Sequence, residues 1–393
     1  MIAIISMQNP IRDTNGVASH IRDLYQEIKS NDIEVNIIHP YNFDYYNSYF
    51  TDKILKLFSK LFKLLKWEIL FYFKIQLIVF ILKNKIQNLP AHVKIINVHD
   101  IISLIALYSL NRKFPHSFYT LHANYEPDIE FIQSGYFNKN SYIFKKFQSE
   151  CKKAYTIPNL TIACVSKHCK NLYEERMNHK FENFNQVIKI IQMGVDLKFN
   201  IDENISKQIS SIGEYIINVG KVTDIKNQLR LAEIAFEFQK LGIKKNFVLI
   251  GEIDKSYYLI LKDYLLQHNL DECFYFLGAL SRDNAYQWIA HANLNIHTAK
   301  MESFGLCIIE SMGLGCPTFA FYYPTLQEIF YNFPEAILDS NQNTADIVRK
   351  IRLIEDKNMG FRLLADKQRK ECISIYPRSK IINHLMEVYT KET

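Results

Sequence analysis

Glycine is scarce in this chain: twelve in 393 residues, roughly 3% where average proteins carry about 7%. A composition drained of glycine keeps it where the backbone needs positive φ or a close approach, so the survivors are worth locating. The cysteines offer no framework. All seven (151, 164, 169, 273, 307, 316, 372) are scattered without C-x-x-C, and free cytosolic thiols are the simplest account. No apolar run reaches the roughly 18 uncharged residues that a membrane span requires. The chain opens as a strand, Ile2–Ile5, without a basic lead-in, so no export signal is expected. Charge of one sign is not spread along the chain either. Residues 53–85 hold eight lysines and one acid (Glu68), a net of +7 against +6 for the whole, so the remainder sums to −1. That is not the chain-wide basic character of a nucleic-acid binder. With 48% hydrophobic and 22% charged residues, disorder is excluded, and the length suits two domains.

What is present alternates. Short β-branched and aromatic runs read as strands at Ile2–Ile5, Val35–Ile38, Lys94–Val98, Ser117–Leu121, Thr161–Val165 and Val187–Ile191. A second series follows at Tyr215–Val219, Phe247–Ile250, Cys273–Leu277, Leu294–His297, Thr318–Phe321 and Ala336–Leu338. Helical patterns lie between most of them, as in Val17, Ile21, Leu24 and Ile28, spaced near 3.6 residues. Alternating strands and helices predict an α/β protein with two parallel, doubly wound sheets. The polar stretch 199–213 is expected to be a linker between domains at 1–198 and 214–377, with a last helix in 378–393.

Five of the scarce glycines fall where such sheets bind ligands, beyond the carboxyl ends of strands: Gly16, Gly220, Gly251, Gly278 and Gly305. The plain alternative is that they are β-to-α turns. The richest segment runs from His297 through Glu302-Ser303-Phe304-Gly305-Leu306 to Glu310 and on to Gly315-Cys-Pro317. A helix beginning near Leu306 would offer free amides to an anion. Two carboxylates beside an anion site suit hydroxyl groups, which they accept from strongly; phosphate between two hydroxyl-bearing rings describes a sugar nucleotide. Lys221 and Lys226, in the loop after Gly220, could both reach a diphosphate, the alternative being a solvated loop.

The segment Glu302-Ser-Phe-Gly-Leu-Cys-Ile-Ile-Glu310 resembles the E-x7-E signature of retaining GT-B glycosyltransferases, particularly family 4, the glycosyl transferases group 1 type. Asn15-Gly16-Val, Asn97-Val-His99-Asp, Tyr119-Thr-Leu-His122, Cys164-Val-Ser166, Met193-Gly-Val-Asp196, Asn218-Val-Gly-Lys221 with Lys226-Asn, and Phe276-Leu-Gly278 resemble the family's other markers in order. Lysine stands at 221 where the family commonly has arginine, Asn15 replaces a glycine, and Met193 stands where asparagine is usual. The resemblance implies two Rossmann-like domains facing a central cleft, with the C-terminal helix crossing back onto the first. It also implies roles. Glu310 would hold the donor ribose, and Glu302 the donor sugar, with Ser303, Phe304, Gly305 and Leu306 near its hydroxyls and phosphate. Lys221 and Lys226 would neutralise the diphosphate. Gly16, Gly220, Gly251 and Gly278 would line the donor site, and His122 would face the transferred sugar from the acceptor side.

The expected reaction is retaining sugar transfer (hexosyltransferase type, EC 2.4) from a nucleotide-diphosphate sugar, UDP-sugars being favoured. The acceptor would be a glycan or a lipid-linked molecule, in polysaccharide, lipopolysaccharide or glycolipid synthesis. Fixed cations and amides aimed at the leaving phosphate are the main catalytic contribution. With no D-x-D and no H-E-x-x-H, no metal and no resident cofactor are expected. A sugar-nucleotide epimerase on the same fold and a non-catalytic partner subunit remain as alternatives; a dehydrogenase lacks its G-x-G-x-x-G.

The basic segment has its own pattern. Lys53, Lys56, Lys60 and Lys63, with Lys66 beyond, run opposite Leu57, Phe58, Leu61, Phe62, Leu64 and Leu65, as in an interfacial helix on anionic lipid. The alternative is a helix packed on the sheet with a solvated lysine face. A cytoplasmic protein, peripheral on the inner membrane, follows from the first reading. His20, on the first helix near the crevice, could touch a ligand, while His291, His297, Tyr322 and Tyr323 are read as core or surface residues.

Overall fold

The computed structural model describes residues 1–10, 16–41, 53, 57, 68–110, 112–122, 127–180, 186–356 and 360–391. The chain divides into two compact units, one of 1–192 with 379–393 and one of 193–378.

The first unit is a six-stranded sheet of β1 (Ile2–Ile5), β2 (Val35–Ile38), β3 (Ile95–Val98), β4 (His116–Leu121), β5 (Leu160–Cys164) and β6 (Val187–Ile190). Its order is β2-β1-β3-β4-β5-β6, and every pairing is parallel. The central strands are buried along their whole length, as strands covered on both faces must be. On one face α1 (Gly16–Ser30) buries Ile21, Leu24 and Ile28. On the other lie α2 (Glu68–Gln87), α3 (Ile101–Tyr108) and α5 (Tyr142–Ala154). Between these last two comes the short α4 (Pro127–Gln133), and α6 (Lys167–Lys180) follows β5. Asp100 caps α3 by accepting from Ser103 N at 2.8 Å and also accepts from Met7 N at 2.6 Å, tying the loops after β3 and β1 together. The final helix, α15 (Arg378–Lys391), returns to this unit: Ile382, Leu385, Val388 and Tyr389 join α1 in its core. Asn97 donates to Tyr389 Oη at 2.7 Å.

The second unit holds β7 (Tyr215–Val219), β8 (Asn246–Ile250), β9 (Phe274–Gly278), β10 (Leu294–His297), β11 (Thr318–Phe321) and β12 (Ile337–Leu338). These too are all parallel, in the order β12-β11-β10-β7-β8-β9. Its helices are α7 (Glu203–Ile212), α8 (Gln228–Lys240), α9 (Lys255–Gln267), α10 (Arg282–Ala290), α11 (Leu306–Gly313), α12 (Leu326–Ile329), α13 (Thr344–Glu355) and α14 (Gly360–Ile375). All twelve strands expected from the sequence are present, within a residue or so at each end.

The stretch 199–213 is not a featureless linker. It contains α7, capped by Asp202 and anchored by Ile205 and Ile209 in the core of the second unit. Two isoleucines four apart suffice for one buried stripe, though too few to stand out among polar neighbours. The change of unit therefore falls earlier, at 192–193. There Val195 N donates to Tyr376 O at 2.9 Å, and Arg378 N donates back to Val195 O at 3.0 Å. A Cβ on Gly194 would lie 2.6 Å from Arg378 Cα, so this crossing needs glycine.

Of the expected lipid-facing lysines, Lys53 is described and exposed; Lys56, Lys60, Lys63 and Lys66 lie outside the described residues. The following α2 buries Phe71, Tyr72, Ile75, Ile78, Val79, Leu82 and Ile86 but leaves Ile69, Phe73 and Phe80 exposed. Among the described residues, no helix is long and apolar enough to cross a membrane.

Candidate functional site

The strand order of the second unit fixes one place where a ligand would find loops parting. From β7 the chain builds outward through β8 and β9, then returns to lay β10 against the other edge of β7. Loops after β7 and β10 thus leave in opposite directions, the switch point at which open α/β sheets bind ligands. The β7 loop carries Gly220, Lys221 and Lys226; the β10 loop carries Glu302 and Gly305.

These loops are bonded to each other. Thr298 Oγ1 donates to Lys226 O at 2.7 Å, and Lys300 N donates to Ile225 O at 2.9 Å. Asn218 Nδ2 bridges to Ile296 O and Thr298 Oγ1 at 2.7 and 3.3 Å. The Lys226 stem lies over Gly220, 3.6 Å from where a Cβ would be. Its ammonium forms an ion pair with Glu302, with 22% and 15% of the two side chains exposed.

Burial alone would raise the Glu302 carboxyl; Lys226 first, then His297, overcome it and hold it down to about 2. Burial opposes the Lys226 charge as well, yet Glu302 carries it above the usual lysine value. His297 Nε2 lies 3.2 Å from Glu302 Oε1, and its Nδ1 is 3.7 Å from Cys307 Sγ. Burial would discharge this ring, but Cys307 and then Glu302 push it up to about 9. The ligand atoms of His297, Glu302 and Cys307 are close enough to hold a metal. Lys226 already occupies the carboxylate of this group.

One buried polar atom here, Tyr323 Oη, has no hydrogen-bond partner among the described residues; such an orphan calls for a ligand or water. Tyr323 Oη would be 3.2 Å from a Cβ on Gly305, which has φ +93° and begins α11. His297 and Tyr323 both read as core from sequence alone. Their hydroxyl and imidazole matter only because the fold aims them at this loop.

The other expected residues fall as follows. Glu310, on α11, accepts from Tyr286 Oη at 2.7 Å and is half-buried. Ser303 precedes a buried Phe304, whose ring packs edge-on against Tyr376; Leu306 opens α11. Lys221 departs from expectation. It reaches away to Glu252, 3.3 Å off, with 55% of its side chain exposed, so the two lysines do not act as one clamp. Their loop turns between them, and only the one bonded across to β10's loop is drawn inward. Gly220, Gly251 and Gly278 stand side by side: Gly220 N donates to Ile250 O and Gly251 N to Gly278 O, both at 2.8 Å. A Cβ on Gly251 would lie 2.2 Å from Gly220 O, so loop-on-loop packing by itself requires that glycine. Gly278, at φ +68°, has open space instead.

In the first unit Gly16 is exposed at the start of α1, and Asn15 lies outside the described residues. His122 follows β4, with its Nε2 3.0 Å from His99 Nδ1.

Residues 201–374, most of the second unit, match the family described as glycosyl transferases group 1. The whole chain is similar in fold to solved GT-B glycosyltransferases. Sucrose-phosphate synthase from Thermosynechococcus elongatus aligns at TM-score 0.73 and 16% identity, over 99% of this chain and 98% of that one. Anabaena HepE in complex with UDP and glucose aligns at 0.69 and 14%, over 100% of both. WaaG, a glycosyltransferase involved in lipopolysaccharide biosynthesis, aligns at 0.68 and 10%, over 99% of both. The chain thus has the GT-B architecture of two Rossmann-like units. No curated protein matches it in sequence.

Proposed function

We propose that this protein transfers a sugar, with retention of anomeric configuration, from a nucleotide-diphosphate sugar to a glycan or lipid-linked acceptor. The observation that carries the reading is the Lys226–Glu302 pair at the switch point, with His297 against the same carboxylate and Tyr323 holding an unpartnered hydroxyl beside it. The group 1 match over the same unit and the UDP and UDP-glucose bound in HepE crystals support it, and favour UDP-sugars as donors.

Breaking a sugar–diphosphate bond builds negative charge on the leaving phosphate and positive charge on the sugar carbon. Lys226 and the first amides of α11 stabilise the former as fixed charges and dipoles. Glu302 keeps Lys226 charged and accepts hydroxyls of the donor sugar, while Glu310, oriented by Tyr286, accepts those of ribose. The departing phosphate oxygen takes the acceptor's proton on the same face, so neither a protein base nor a metal bridge is needed. Lys221, being exposed, supplies a screened long-range field rather than a contact. On the first unit Gly16 lets the backbone approach the donor phosphate, and His122 faces the transferred sugar from the acceptor side. Exposed Ile69, Phe73 and Phe80, next in sequence to the lysine-rich segment, support peripheral binding to an anionic membrane and hence a lipid-linked acceptor.

The test is thermal-shift screening against UDP, GDP, ADP and their sugars. A ligand at 100 times its Kd stabilises by about 2.7 kcal/mol, which is easily read. Selective stabilisation by UDP and its sugars, abolished in Lys226→Met, is the expected result. No stabilisation by any nucleotide would overturn the proposal.

A further inference from the structure

We propose that His20, His99 and His122 form a binding site for a borderline transition-metal ion, with Zn²⁺ as the reference case. The first sheet has its own switch point, between β1 and β3, from which the strand order runs both ways. His20 lies on α1, the helix that follows β1; His99 is the first residue after β3; His122 is the first after β4. Three adjacent parallel strands therefore deliver three imidazoles to one spot. Their ring centroids are 5.3, 5.3 and 5.7 Å apart, and one nitrogen from each lies within 4.8 Å of the others.

Zinc takes imidazole nitrogens at about 2.0–2.1 Å in tetrahedral geometry, which spaces neighbouring ligand atoms about 3.3 Å apart. The His99–His122 edge is already 3.0 Å. The edges to His20 need to close by no more than about 1.5 Å, within the swing of a histidine side chain.

His99 is 3% exposed and already turns Nδ1 toward His122 Nε2, so this edge of the cluster is set before any ion arrives. Among the described residues, no lysine or arginine joins the three imidazoles in the cluster, whose ligand atoms lie within 4.8 Å of one another. Three imidazoles suit Zn²⁺, Cu²⁺ or Ni²⁺ and not Mg²⁺ or Ca²⁺. Asp23, buried one turn further along α1, supplies the neighbouring negative charge that such sites commonly keep. With three protein ligands the ion would retain an open position.

A consequence rests on the acceptor-side role proposed for His122: an ion here occupies its lone pair, so Zn²⁺ should inhibit sugar transfer without displacing UDP.

Binding is tested without nucleotide or turnover, so its failure is distinguishable from failure of the transferase reading. Metal-stripped full-length protein is titrated with Co²⁺ and followed by visible d–d absorption, and with Zn²⁺ by calorimetry. We expect one equivalent with tetrahedral absorption and no competition from Mg²⁺. His20→Ala and His99→Ala should each weaken affinity beyond the ~10–100-fold typical of losing an outer-shell partner, while Cys307→Ser changes nothing. Melting curves with wild-type cooperativity confirm that the variants are folded; should either histidine variant fail to fold, the His122→Ala titration serves in its place. No binding by wild-type protein, affinity unchanged in the histidine variants, or a cobalt–thiolate band lost in Cys307→Ser would each overturn the site.

Discussion

Replacing Lys226 by methionine removes an ammonium from a partly buried pair and leaves its stem over Gly220. The size of the effect follows from Glu302. Its carboxyl falls from an ordinary 4.5 to about 2, which at about 1.4 kcal/mol per decade amounts to about 3 kcal/mol at pH 7. His297 supplies part of this and remains in the variant. The pair also keeps 22% and 15% exposure, so the cost should lie below the 3–5 kcal/mol of a fully buried pair. About 2 kcal/mol is expected, lowering the melting temperature by about 4–8 °C. Glu302→Gln should cost a similar amount, since it strands Lys226 instead. The decisive measurement is the double variant. If the pair is coupled as described, Lys226→Met/Glu302→Gln is more stable than the sum of the singles by about 2 kcal/mol. Additivity within about 0.5 kcal/mol would refute the coupling, and with it the claim that Glu302 holds Lys226 in place.

Four further outcomes are expected. Stability should plateau between about pH 4.5 and 6.5. The Glu302 contribution is complete above 4.5 and is lost as pH falls toward about 2; that of His297 is complete below 6.5 and is lost as pH rises through about 9. Urea unfolding across pH reads both limbs, and an unchanged alkaline limb in His297→Asn would contradict the second. Gly251→Ala should destabilise by more than about 2 kcal/mol because its Cβ meets Gly220 O, whereas Gly278→Ala, with open space, should cost only about 1 kcal/mol for its positive φ; equal costs in chemical denaturation would negate the packing argument. Cys307, half-buried near the start of α11 beside His297, should be alkylated before Cys273, whose thiol burial pushes up to about 11, and before the five buried cysteines; mass spectrometry of partly labelled protein gives the order, and prior labelling elsewhere would count against it. Neutralising Lys53, Lys56, Lys60, Lys63 and Lys66 together should release the protein from anionic vesicles in a flotation assay, and undiminished binding would make the segment purely structural.

Local elements and the chemical vocabulary are legible in the order of residues alone. Runs such as Ile2–Ile5 and Tyr215–Val219 announce buried strands through composition alone, and the Glu302–Glu310 spacing places one carboxylate before a helix and the other one turn inside it. These signals are local, with periods of 2 or 3.6 residues that survive any tertiary arrangement. The partnerships among those residues depend on strand order, which no local period encodes. It brought Lys226 to Glu302, 76 residues away, while sending Lys221 outward to Glu252. It set His297 against Glu302 and Cys307 and left Tyr323 an unpartnered hydroxyl beside the same loop, though both are indistinguishable in sequence from packing residues. The need for glycine at 251 arises from the Gly220 carbonyl on the neighbouring strand's loop, and α7 declares itself only when Ile205 and Ile209 find a core to enter. His20, His99 and His122 likewise become one cluster because β1, β3 and β4 lie side by side. A side chain's type is written in the chain, but its partner is set by which strands the sheet makes neighbours.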